Sequence, residues 1–166
     1  LTGRLAREFG SCAGVDLAVD SAYQARKRFP DRQVLLTGEI IHTPHVNDQL
    51  RAQGIRFLSD DGESIDALTA NDVVILPAFG VTCELLLELD RRGCTLLDTT
   101  CGSVLNVWKN VKRYAADSFT SVIHGKYWHE ETRATASQAQ HSAKGHYLVV
   151  LNRDEAPVAC AYLRGT

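Results

Sequence analysis

Short apolar runs of strand length alternate along the chain with longer segments of helical period. The strand candidates are Val34–Leu36, Ile55–Leu58, Val73–Leu76, Thr95–Leu97, Phe119–Ile123 and Tyr147–Leu151, with a further one across Arg4–Phe9. Helical segments fill the gaps. Val15–Phe29 carries Val15, Ala18, Val19, Ala22, Ala25 and Phe29 on one stripe and ends in Arg26, Lys27 and Arg28, which suits the helix dipole. Thr43-Pro44 reads as an N-cap and first helical residue, opening a helix through Val46 and Leu50 that stops at Gly54. Thr82–Arg92 turns Leu85, Leu86 and Leu89 inward, Ser103–Tyr114 does the same with Val104, Val107, Trp108 and Val111, and Asp154–Leu163 forms a last helix. Asp60-Asp61-Gly62-Glu63-Ser64 is a solvated acidic turn. This alternation is the signature of an α/β fold with a largely parallel sheet.

Composition narrows the picture only a little. A chain of 166 residues makes one ordinary domain or two small ones, and can bury roughly two-thirds of its unfolded surface. A net charge of −2 gives no reason to expect nucleic acid or an anionic membrane as partner. No apolar run reaches the roughly 20 residues that cross a bilayer, and no signal-peptide pattern opens the chain, so the expected location is the cytoplasm or an organelle matrix. Five cysteines without a CxxC pair point to reduced thiols rather than a disulfide framework. The chain opens on Leu1, has no methionine and stops at Leu163-Arg164-Gly165-Thr166, which reads as a fragment.

The reactive residues gather where strands hand over to helices. Gly10-Ser11-Cys12-Ala13-Gly14 precedes the first helix, His42-Thr43-Pro44 the second, Pro77-Ala78-Phe79-Gly80 the third and Asp98-Thr99-Thr100-Cys101-Gly102 the fourth. In open parallel sheets these carboxyl-end crevices are where ligands bind. A cysteine at a helix start meets free amides and the positive end of the dipole, which favour the thiolate that ligates metal. Small neighbours around Cys12 and Cys101 would admit a bulky inorganic group; position alone equally allows both to be small buried packing residues. His124-Gly125-Lys126-Tyr127-Trp128-His129-Glu130-Glu131-Thr132 offers imidazoles, carboxylates and hydroxyls after a glycine turn. It is not HExxH, because Arg133 stands four after His129, and taken alone it reads as an exposed helix start.

Together with Glu39-Ile40-Ile41-His42, these segments resemble the 4-hydroxy-3-methylbut-2-enyl diphosphate reductase family, in order and across essentially the whole chain. Val73-Val74-Ile75-Leu76-Pro77-Ala78-Phe79-Gly80 looks like its cyanobacterial and plastid-type branch, and the chain corresponds to the N-terminal two-thirds or less of a member. The resemblance implies two of the three α/β domains of a trefoil around a central [4Fe–4S] cluster. Residues 1–98 would form the first, with Cys12 and His42, and residues 99–166 an incomplete second, with Cys101, His129 and Glu131; the third lies outside the chain. It makes Cys12 and Cys101 two of three cysteine ligands, the third falling beyond the chain end, and leaves Cys83, Cys94 and Cys160 as packing residues.

The implied activity is an oxidoreductase step, the last of the methylerythritol phosphate route of isoprenoid biosynthesis. Two electrons and protons remove the allylic hydroxyl to give isopentenyl and dimethylallyl diphosphate, with an electron donor such as ferredoxin or flavodoxin. Glu131 matches the proton-delivering residue and His129 its catalytic neighbour; His42 and His129 match substrate-binding positions for the diphosphate. Thr135 matches a family threonine without an assigned role. Phe79 stands where many members carry a diphosphate-binding histidine, Gly102 where proline commonly follows the second ligand, and Gly38 where a polar residue is usual. Two rival classes are a zinc metallohydrolase built from Cys12, His42 and Cys101, and a non-catalytic α/β binding module in which the cysteines only pack. With two of three ligands, the fragment alone is expected to be inactive and to hold no stable cluster.

Overall fold

A computed structural model of the chain describes residues 3–4, 7, 13–60 and 62–165. The expected Arg4–Phe9 strand lies largely outside them, as does Cys12. The first half forms a four-stranded parallel sheet from β1 (Val34–Leu36), β2 (Arg56–Phe57), β3 (Val73–Leu76) and β4 (Thr95–Asp98), in the order β2-β1-β3-β4. Register pairs Leu36 with Phe57 on one side and with Ile75 on the other, and Leu76 with Asp98.

Alternation along the strands sorts their side chains into two layers. Val34, Leu36, Val73 and Ile75 face α1 (Ala13–Arg28) and α2 (Pro44–Ala52), packing on Ala18, Ala22, Ala25 and Leu50. Leu35, Val74 and Leu76 face α3 (Cys83–Arg91) through Leu89 and Leu85. The alanines of α1 let that helix lie close on the sheet; a larger residue at Ala22, which is fully buried, would have no room. Helices on both faces make this a doubly wound unit.

The second half pairs β5 (Thr120–His124) with β6 (His146–Val150) in parallel, without further strands among the described residues. Its helices are α4 (Gly102–Ala116), α5 (Glu130–Gln140) and α6 (Ala156–Arg164). β5 and β6 start one residue away from the apolar runs that predict them. Before β5 the cause is a turn, where Ser118 takes the left-handed conformation at φ 66°.

The sequence predicts no full helix over residues 130–140, only an exposed helix start. The segment EETRATASQAQ has no large apolar residue and therefore no stripe. The structure buries it all the same. Thr132, Ala134, Thr135, Ala136, Ser137, Gln138 and Ala139 are buried, because small side chains let α4 and α3 come close. Ser137 Oγ accepts from the Cys83 amide at 3.0 Å and donates to the Ala134 carbonyl at 2.7 Å, tying α5 to the first turn of α3. Trp108 Nε1 on α4 donates to Thr135 Oγ1 at 3.1 Å. Thr135 thereby gains a structural role.

Candidate functional site between the two sheets

From β1 the chain turns to β2 on one side; from β3 it turns to β4 on the other. The order therefore reverses between β1 and β3, and the crevice at their carboxyl ends is where such a sheet binds ligands. His42 comes from the segment that follows β1 and Phe79 from the one that follows β3. Their rings stack with centroids 4.4 Å apart and planes 14° from parallel. The Phe79 side chain thus fixes the plane of His42, a part that hydrogen-bond reasoning on the sequence could not assign to it.

The segment holding His42 is itself anchored. Asn47 is buried; its Nδ2 donates to the Ile41 carbonyl at 2.9 Å and its Oδ1 accepts from the Ile40 amide at 3.3 Å. Glu39 Oε2 lies 3.0 Å from His42 Nδ1, with both side chains about half exposed. Gly80 makes the next turn at φ +75°, and a Cβ there would sit 2.1 Å from the Trp108 ring, so both backbone and packing require glycine.

His129 arrives from the second sheet. It caps the N-terminus of α5, its Nδ1 accepting from the Glu131 amide at 3.2 Å. Its Nε2 lies 2.9 Å from Nε2 of His42, which is 87 positions earlier in the chain, and its ring meets Phe79 edge-on at 5.9 Å. One ligand atom each from His42, His129 and Glu130 falls within 4.8 Å of the others, the one such group of metal-type ligands among the described residues. Beside it an open cleft of about 500 Å³ is lined by His124, Gly125, Lys126, His129, Glu131 and Thr135.

Cys101 stands on the same rim. Its amide donates to the Ala78 carbonyl at 3.0 Å, while Thr99 Oγ1 donates to Leu76 O at 2.6 Å, so the exit of β4 is strapped to that of β3. Cys101 caps α4, its sulfur facing the first amides of the helix without a hydrogen bond of ordinary geometry. The Ser103 amide foremost, with the Ser103 hydroxyl and Val104 amide, holds the thiol below its ordinary pKa; partial burial and the Glu131 carboxylate oppose them. A Cβ at Gly14 would lie 2.6 Å from the Cys101 sulfur. Only glycine leaves room there, and a thiolate-prone sulfur in such a cradle fits a soft metal or cluster.

The remaining cysteines divide. Cys94 has its thiol pushed up by burial, with Sγ 3.4 Å from the Thr69 carbonyl. Cys83 is half-buried, while Cys160, expected to pack, is exposed on α6. Glu39, Asn47 and Phe79 are site-building residues to which sequence reasoning gave no such part. Glu39 and Phe79 carried a signal, each by lying in a segment that resembles the family and Phe79 also by standing in place of a histidine; Asn47 carried none.

A profile of the LytB protein family matches residues 4–163. A curated 4-hydroxy-3-methylbut-2-enyl diphosphate reductase of Gloeobacter violaceus is 48% identical over 169 residues, covering 98% of this chain and 39% of its own length. The reductase of the same name from Thermosynechococcus vestitus is 46% identical, covering 98% and 40%. The chain thus spans about two fifths of the length of these curated relatives. A solved structure described as (E)-4-hydroxy-3-methyl-but-2-enyl diphosphate reductase superposes with a TM-score of 0.75 at 27% identity, over 90% of this chain and 51% of the other. The Plasmodium falciparum enzyme structure gives 0.80 at 21% identity over 91% and 45%, a likeness of fold alone. With a family profile running over nearly its whole length, the chain belongs to the LytB protein family.

Proposed function

We propose that this chain is part of a 4-hydroxy-3-methylbut-2-enyl diphosphate reductase and contributes two α/β domains, divided at Asp98, to its active site. The observation that carries the reading is the 2.9 Å approach of His42 to His129, which joins two separately matched motifs at the switch-point crevice. In this reading His42 and His129 hold the substrate's diphosphate, and the ring of Phe79 keeps His42 in place for it. Glu131, on the same cleft, delivers a proton to the departing allylic hydroxyl, since breaking that C–O bond needs a proton on oxygen.

Cys101, together with Cys12, would hold an iron–sulfur cluster; the glycine cradle and the amide-stabilised thiol support Cys101 in that part. When bound, such a cluster supplies electrons and a Lewis-acidic site for the substrate oxygen. Electrons would come from an external donor such as ferredoxin or flavodoxin. No helix among the described residues is long and apolar enough to cross a membrane, and the cytoplasm is the proposed site of action.

The rival classes lose ground. The metal-type cluster that forms among the described residues is His42, His129 and Glu130, and Cys12, which a zinc site would need, lies outside them. A packing role for Cys101 would account for its close fit on Gly14 but calls for no thiol held below its ordinary pKa by the helix-start amides.

Turnover is the test. In the longer protein that contains this chain, reduction of 4-hydroxy-3-methylbut-2-enyl diphosphate by a low-potential donor should fall about 100-fold or more in Glu131→Gln while iron content stays unchanged. An amide cannot donate that proton. Wild-type rates in the variant would remove Glu131 from the mechanism.

A further inference from the structure

The hydrogen bonds around the two histidines leave only one arrangement of protons. A backbone N–H can only donate, so His129 Nδ1, which accepts from the Glu131 amide at 3.2 Å, carries a lone pair. A neutral His129 ring therefore has its proton on Nε2, which faces His42 Nε2 at 2.9 Å. That nitrogen must be the acceptor, so the proton of His42 sits on Nδ1 and is donated to Glu39 Oε2 at 3.0 Å. A carboxylate accepts only, which closes the chain without contradiction. The same assignment disfavours a metal ion between the rings, because His129 would have to give up its only ring proton or its capping bond.

Closed in this way, the pair offers nothing to an anion. The His129 proton is spent on His42, and His42 presents a lone pair. Adding one proton to His42 Nε2 changes this: the rings must separate, and each then has an N–H to give to an anionic oxygen. The His42 imidazolium keeps Nδ1–H on the Glu39 carboxylate, while Phe79 holds its plane. Among the described residues, Glu130 of α5 brings a carboxylate oxygen within 4.8 Å of the pair, and Glu131, His124 and Lys126 line the cleft beside His129.

We propose that Glu39 is a positioning residue: it fixes the tautomer of His42, so that the His42–His129 pair binds a diphosphate group only with uptake of one proton from solvent. This rests on the reading of the pair as a diphosphate site, but its tautomer half is measured without any ligand. In the longer protein that contains this chain, labelled with ¹⁵N-histidine, NMR should show His42 protonated on Nδ1 and His129 on Nε2. Glu39→Ala should move His42 to the opposite tautomer or to an average of the two. Glu39→Gln, which keeps an acceptor oxygen at the same reach, should restore it.

Calorimetric titration with inorganic pyrophosphate in two buffers of different ionisation enthalpy should give about one proton taken up per ion bound. Glu39→Ala should weaken binding about tenfold, as loss of a charge-assisted bond implies, and lower the uptake. Glu39→Gln should lower the uptake without changing the tautomer. An Nε2–H form of His42 in the wild type, or an unchanged tautomer in Glu39→Ala, overturns the role of Glu39. Pyrophosphate binding without proton exchange overturns the uptake. If pyrophosphate does not bind while the tautomers are as assigned, the diphosphate reading and the uptake fail together, and Glu39 keeps its positioning role.

Discussion

Every residue of β1 and β3 is buried, whereas in β5 and β6 only Val150 is. The first sheet closes a dry core with Leu and Val on both faces. The second sheet stays open, with Val122 and Tyr147 exposed, and Val158, Tyr162 and Leu163 exposed on α6. Its order comes instead from close approach around α5, where Thr132 meets Gly125 and Ala139 meets Gly145. One half is held by apolar area, the other by the absence of side-chain bulk. The site lies where they meet: a stiff rim carries His42, Phe79 and Cys101, and α5 carries His129 to it.

Three measurements can break or sharpen this contrast, all read by chemical denaturation. The largest effect belongs to the dry core. Ile75→Ala, at a fully buried position, should cost about 2–5 kcal/mol, while Val122→Ala on the open sheet should stay within about 0.5 kcal/mol. Equal losses would erase the difference between the halves.

Next comes Gly145→Ala. Its Cβ would sit 2.0 Å from the Ala139 carbonyl oxygen and 2.9 Å from the Ala115 Cβ, so α5 must shift at a cost of about 1–3 kcal/mol. A neutral result would mean that close packing does not hold the second half.

The smallest effect is electrostatic. Asp60 accepts from Arg51 Nε at 3.1 Å and Nη2 at 2.9 Å, and this pairing holds its carboxyl below the ordinary aspartate range. A depressed folded pKa adds stability above the ordinary value, and the gain is lost as pH falls through the folded one. Both side chains are about two-fifths exposed, so solvent leaves only about 0.2–1 kcal/mol. Asp60→Asn should therefore be less stable than wild type near neutrality by that amount, the gap closing below about pH 4. A gap that widens in acid would contradict the pairing.

How far the sequence speaks follows the same division. β1, β3, the inward stripe of α1 and the Leu85 and Leu89 positions of α3 are legible because large apolar residues recur with the period of their element, whereas Leu86, expected to turn inward, is exposed. α5 is hidden because its burial depends on the smallness of Ala134, Ala136 and Ala139, which has no period to detect. Cys101 is legible as a helix-start thiol, since local order alone puts it there. The contact of His42 with His129 is not, because it depends on two sheets meeting across 87 positions. Glu39 and Phe79 show their roles only once the rings they hold are in place.

Iron analysis tests the central claim most directly. The longer protein containing this chain, purified anaerobically, should be brown with about four irons per chain, and Cys12→Ser or Cys101→Ser should each remove most of them. Colourless wild-type protein holding a single zinc, or full iron retained in both variants, would contradict the account.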